Sequence, residues 1–96
     1  MPDGQPRWTI AWTPEGRRSL KHLPPRLLPA VLSFVHERLP ENPLRASHAL
    51  GAPLERYRSA NVGSYRVLIQ IDAPARTVYI VKVAYHADVY RPRDDL

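Results

Sequence analysis

Apolar and polar residues alternate from Arg7 to Trp12, with Trp8, Ile10 and Trp12 on one side, and this period of two predicts a half-buried strand. The pattern breaks at Thr13-Pro14-Glu15, which supplies an N-cap hydroxyl, a proline suited to the first helical position and an early acid at the positive end of a helix dipole. A short helix is predicted from about Pro14 to Leu23, ended by Pro24-Pro25. Leu28, Val31, Leu32, Val35 and Leu39 then recur at steps of three and four, the stripe of a second helix facing a core. Pro29 pushes Leu28 away from the α region, so an irregular first turn is expected there. Leu39-Pro40-Glu41-Asn42-Pro43 closes this helix, and the stretch to Pro53 has so little periodicity that it reads as a loop.

The second half of the chain has the pattern of strands. Glu55 to Ala60 reads as a short polar strand, Asn61-Val62-Gly63 as a turn with positive φ available at Gly63, and Ser64 to Asp72 as a clear strand. Asp72-Ala73-Pro74-Ala75-Arg76 turns the chain again. Thr77 to Ala84 is apolar on both faces except at Lys82, as expected of a central strand. Helices grouped before a run of strands predict an α+β fold with two helices on one face of an antiparallel sheet and the other face open. Arg56 and Arg58, two apart on one strand, would share a face. An odd-numbered turn would set Arg58 opposite Arg66 and make a basic stripe, whereas an even-numbered one would set Tyr57 there.

Composition narrows the function. The length of 96 residues fits one domain, 1–96. The absence of cysteine excludes disulfides and thiolate metal sites and is consistent with a reducing compartment. Met1 to Arg7 has no apolar stretch of the kind a secretory signal needs, and the apolar patches fall far short of the ~20 residues of a membrane span. A soluble, cytoplasmic protein without membrane contact is the expectation. Lys and Arg number 14 against 9 Asp and Glu, a net charge of +5 carried nearly all by arginine, whose planar fork matches phosphate oxygens in pairs. Such a field attracts polyanions. Charge alone fits a nucleic-acid partner and a merely soluble basic domain about equally.

The residues Gly63-Ser64-Tyr65-Arg66-Val67-Leu68, followed by Ile71-Asp72 and the ending Val83-Ala84-Tyr85-His86-Ala87-Asp88-Val89-Tyr90, resemble the RelE/ParE superfamily of toxins. The opening strand, Lys21-His22-Leu23-Pro24 before the long helix and Asn42-Pro43 after it extend the resemblance over nearly the whole chain in order. It implies a RelE-like fold, with an N-terminal strand and two-helix hairpin on a four-stranded antiparallel sheet, and a cognate antitoxin protein that wraps the toxin. In the RelE branch it implies cleavage of mRNA in the ribosomal A site; the ParE branch poisons gyrase instead. The tyrosine that follows Ala87-Asp88-Val89 leans toward the RelE branch. A family member that binds its antitoxin but no longer intoxicates is a third alternative.

Cleavage of this type aligns a 2′-hydroxyl on the adjacent phosphate, stabilises charge on that phosphate and moves two protons, without a metal or other cofactor. The resemblance gives Arg66 the place of a phosphate clamp, and Tyr90 that of a ring that stacks on a base or orients the nucleophile. Tyr85 and His86 stand where the family often has a histidine and an arginine, so His86 would supply the proton transfer. Arg45, His48, Arg56, Arg58 and Tyr85 are the candidate RNA-binding residues around Arg66, His86 and Tyr90. Asn61 stands where relatives commonly carry arginine. The bland alternatives are a solvated strand arginine, a surface histidine and a packed tyrosine. The histidines, His22, His36, His48 and His86, are dispersed without ligand spacing, so no metal site is expected. Nor is there a nucleophile elbow or a phosphate-cradling glycine loop.

Overall fold

The computed structural model describes residues 7–90. Met1 to Pro6, most of the segment read for a secretory signal, therefore lies outside the described residues. The chain forms β1 (Thr9–Trp12), α1 (Pro14–Ser19), α2 (Leu28–Ser33), β2 (His48–Ala49), β3 (Arg58–Val62), β4 (Tyr65–Asp72) and β5 (Thr77–Tyr85). The expected α+β class is found, with two helices packed on a sheet.

Each helix begins where its local chemistry dictates. Thr13 caps α1, its Oγ1 accepting from the Gly16 amide at 2.9 Å, and Pro14 occupies the first helical position. The predicted extent to Leu23 is divided: α1 ends at Ser19 and a 3₁₀ turn over Leu20–His22 finishes it. Before α2, Pro25–Leu27 make a separate 3₁₀ turn, and Leu28, expected to be pushed out of the α region by Pro29, instead has helical φ −57° and ψ −46° and opens α2. Pro29 then falls in the opening turn of α2, where the amides have no intrahelical partner to lose. The helix widens into a π turn over Phe34–Arg38, in which the Leu39 amide reaches back five residues to the Phe34 carbonyl.

The strands run β1-β5-β4-β3-β2 across the sheet. This corrects the four-stranded antiparallel expectation in two ways. His48 and Ala49, in the stretch read as a loop, pair antiparallel with Ser59 and Arg58 and add a fifth strand, too short to show periodicity. The opening strand pairs parallel with β5, Thr9 opposite Thr77 and Trp12 opposite Ile80, so the sheet is mixed. The strand expected over Glu55 to Ala60 begins only at Arg58, because the Tyr57 amide closes a turn on the Leu54 carbonyl and leaves Glu55 and Arg56 exposed. Asn61 and Val62, expected in a turn, belong to β3. Val62 pairs with Tyr65 around a two-residue Gly63-Ser64 turn, and Gly63 has the positive φ of 58° that such a hairpin needs.

The pleat assigns the two faces. Val67 and Ile69 of β4, Val78, Ile80 and Val83 of β5 and Ala60 of β3 pack with Val31 of α2, Val35 of the π turn, Leu39 that caps it and Leu23. A shift in register at Leu68/Ile69 gives β5 one extra residue, Val81, and bends the strand locally. Where β1 ends, the start of α1 takes over the edge of β5. The Thr13 amide and Oγ1 both donate to the Ile80 carbonyl, and the Ser19 hydroxyl accepts from the Val83 amide at 2.9 Å. No strand could make these bonds once the chain has turned into a helix.

Candidate nucleic-acid interface

Since Val67 and Ile69 face the helices, Arg66, Leu68 and Gln70 face the opposite way. The same parity puts Asn61 and Ser59 of β3, His48 of β2 and Ala84, Lys82 and Tyr79 of β5 beside them. Arg66 thus lies on the face left open by the helices, between the exposed Asn61 and the small Ala84. Period-two counting from Arg66 identifies Leu68 and Gln70 as its neighbours on this face. Tyr79 and Lys82 are not legible in the same way, because the extra residue on β5 breaks the alternation between them.

The Arg66 side chain is half-buried. Its Nη1 donates to the Gly63 and Tyr65 carbonyls, both at 3.2 Å, which fixes the guanidinium over the β3–β4 turn. Its Nε and Nη2 make no hydrogen bond among the described residues and remain available to a ligand. Tyr65 is the residue of β4 that exchanges backbone bonds across the turn with β3, so the guanidinium leans toward β3. His86 leaves the sheet on the other side of β4, its amide donating to the Ser64 carbonyl at 2.9 Å. Arg66 and His86 therefore bracket the first residues of β4.

His86 packs on Tyr85 with ring centroids 4.4 Å apart, and Tyr85 meets Tyr65 edge-on at 5.6 Å. The three rings form a rim at this end of the sheet. Beyond it the chain doubles back. The Asp88 amide closes a turn on the Tyr85 carbonyl at 2.8 Å, and Lys82 Nζ reaches the Asp88 carbonyl in a long hydrogen bond of 3.5 Å. Val89 and Leu68 are both buried although neither belongs to the core cluster beneath the helices. Ser59, fully buried opposite Leu68, keeps a hydroxyl with no hydrogen-bond partner among the described residues. Tyr90, after the buried Val89, is 45% exposed. Among the described residues no hydrogen bond links Arg66, His86 and Tyr90 to one another.

A family model described as the ParE toxin of the type II toxin–antitoxin system parDE matches residues 10–90. The chain belongs to the RelE/ParE superfamily. Toxin RelG of Mycobacterium tuberculosis is 42% identical over 84 residues, 88% of this chain and 97% of the relative. Toxin RelE of the same organism is 35% identical, covering 95% of this chain and 93% of the relative. A chain of the toxin–antitoxin complex RelBE2 from M. tuberculosis superposes with a TM-score of 0.79 at 39% identity, covering 82% of this chain and 98% of that one. The isolated Escherichia coli RelE toxin gives 0.65 at 14% identity over 90% of this chain and 88% of its own, a likeness of fold.

The remaining candidate residues of this RelE/ParE toxin are scattered. His48 is exposed on the open face, at the β2 edge beside Ser59. Arg45 is exposed in the turn that precedes β2. Arg56 is exposed in the turn before β3, so it does not share a strand face with Arg58. Arg58 lies opposite Ile69, so neither turn alternative holds: Asn61 is the residue that faces Arg66. The basic stripe of Arg58 and Arg66 is not formed, because Arg58 points to the helix side.

There the Arg58 guanidinium donates to the Ser47 Oγ at 2.8 Å, the Ser47 carbonyl at 2.9 Å and the Leu44 carbonyl at 3.1 Å. These bonds hold the loop that leads into β2. Arg58→Ala is expected to lower stability by about 2 kcal/mol, the typical worth of a hydrogen bond to a charged group. Urea denaturation followed by circular dichroism measures it. Among the described residues no group of His, Asp or Glu is placed to hold a metal ion, and no helix is long and apolar enough to cross a membrane.

Proposed function

We propose that this toxin is a cytoplasmic, ribosome-dependent mRNA endoribonuclease that works without a metal ion and is neutralised by a cognate antitoxin. The observation that carries the reading is the position of Arg66 on the helix-free face, anchored through one nitrogen with the rest of its fork uncommitted. A guanidinium so held can take two non-bridging oxygens of a phosphate at once. Anchoring to backbone carbonyls also limits the reorganisation needed when charge builds on the phosphate. The relatives named as RelG and RelE toxins support the RelE branch.

In this mechanism the mRNA crosses the first residues of β4, with its scissile phosphate over Arg66. The ribose 2′-oxygen attacks that phosphorus and loses its proton, while the 5′-oxygen of the next nucleotide leaves and gains one. His86, across β4 from the guanidinium, is the general acid–base group that passes these protons. The ribosome brings the 2′-oxygen into line, which fits a trio of residues with no hydrogen bond to one another among the described residues. Tyr90 offers an exposed ring to a base, and Tyr85 supports the His86 imidazole. Exposed Arg45, Arg56 and His48 add positive charge at the periphery. The antitoxin of this chain is the counterpart of the one in the RelBE2 complex.

The purified toxin is expected to cut mRNA when programmed ribosomes are present and to leave the same mRNA whole when they are absent. Cleavage of naked mRNA at an equal rate would contradict the ribosome requirement. The ParE description of the matching family model favours a second reading, a gyrase poison. That reading requires trapped DNA cleavage complexes in a supercoiling assay, with mRNA intact on ribosomes.

A further inference from the structure

At the end of the open face farthest from the Gly63 turn, a pocket of about 490 Å³ is lined by Gln70, Ile71, Asp72, Ala73, Pro74 and Tyr79. Gln70 lies four residues beyond Arg66 on the same face, about 13 Å at ~3.3 Å per residue. Tyr79 is directly across from Gln70 in the β4–β5 ladder and from Ala11 in the β1–β5 ladder. Its neighbour on the β1 side therefore has only a methyl group, and the ring, 37% exposed, has room for a flat partner. Asp72 uses one carboxylate oxygen to accept the Ala75 amide at 3.3 Å, which sets the turn and fixes the carboxylate at the pocket wall. Its other oxygen and the Gln70 amide make no hydrogen bond among the described residues.

We infer that this pocket is a nucleobase subsite for guanine in single-stranded RNA. Tyr79 supplies the stacking surface, Asp72 reads the Watson–Crick edge and Gln70 donates to O6. The choice of base follows from the carboxylate, which has acceptors only. Guanine alone among the four bases presents two adjacent donors, N1–H and the 2-amino group, to a pair of carboxylate oxygens. Adenine, cytosine and uracil each put an acceptor beside their donor and lose one bond. Stacking on an aromatic ring with hydrogen bonds to the Watson–Crick edge is how unpaired RNA bases are commonly recognised. A negative carboxylate at the pocket also disfavours a phosphate there, so the base and not the backbone is the group that fits. The setting in mRNA rests on the nuclease reading above, since the pocket shares its face with Arg66; the binding of guanine does not.

The test has two arms. In the first, the full chain is titrated with 5′-GMP, AMP, CMP and UMP while the ring resonances of Tyr79 are followed by NMR. GMP is expected to bind tighter than each of the other three by on the order of tenfold or more, the discrimination of one good bidentate pair. Asp72→Asn, which keeps an oxygen for the Ala75 amide, is expected to remove that advantage. Tyr79→Leu is expected to weaken GMP binding, read on the Gln70 side-chain amide. In the second arm, ribosome-dependent cleavage is compared on messages that differ by one base near the cut. The wild type is expected to favour guanine at one position, and Asp72→Asn to lose the preference. Equal or absent shifts with the four nucleotides in the first arm overturn the proposal. Selective GMP binding with no cleavage of any message upholds the pocket and removes the nuclease reading instead.

Discussion

Replacing Gly16 by alanine is expected to destabilise the fold by about 3 kcal/mol, at the upper end for overpacking, because the added Cβ falls on the Ile80 carbonyl oxygen. It would also lie 3.0 Å from the Ile80 carbonyl carbon and 3.3 Å from Thr13 Oγ1. These are backbone and capping atoms, not flexible side-chain ends, so relief requires α1 to move off β5. That movement would break the Thr13 and Ser19 bonds to Ile80 and Val83, which replace strand pairing at this edge. The sign is diagnostic. In an ordinary helix interior the same change stabilises by roughly 1 kcal/mol, since alanine is the better helix former. For a domain of this size the loss corresponds to a fall in Tm of about 12–24 °C. Calorimetry or thermal circular dichroism measures it, and an unchanged or raised Tm would show that α1 does not sit on β5 as described.

The close approach at Gly16 was not legible in the sequence, where glycine in a short helix reads only as a weak helix former. What was legible had strong local causes. Thr13-Pro14-Glu15 marks a helix start in any context, and the apolar steps from Leu28 to Leu39 mark one face of α2 and of the π turn that continues it. The runs Ser64 to Asp72 and Thr77 to Ala84 mark the two central strands nearly to their ends. The features that escaped depend on distant partners. β1 pairs parallel with β5 across more than sixty residues. β2 owes its two-residue length to Ser59 and Arg58.

The site was legible to a similar degree. Its Arg66 lies on the open face, as the parity of β4 requires once Val67 is in the core. The neighbours of Arg66 depended on a turn length that the sequence left open, and the two-residue turn brought Asn61 and not Arg58 opposite it. Arg58 has no local sign of its role, since its three acceptors come from Leu44 and Ser47, more than ten residues away. The burial of Val89 was equally hidden: a valine between Asp88 and Tyr90 has no periodic company to reveal it.

The proposed activity depends most on one guanidinium, and single-turnover cleavage of mRNA on programmed ribosomes by wild type, Arg66→Lys and Arg66→Ala tests it most directly. The alanine variant is expected to cut about a hundred- to a thousandfold more slowly, the usual cost of losing one preorganised donor to a developing charge. Lysine keeps the charge but not the fork, and is expected to fall between the two. Both variants should retain stability within about 1 kcal/mol, because Arg66 is half exposed, its bond to Gly63 is exposed and its bond to Tyr65 only partly buried. A folded Arg66→Ala toxin that cleaves within threefold of the wild-type rate would contradict the assignment of the open face as the nuclease site.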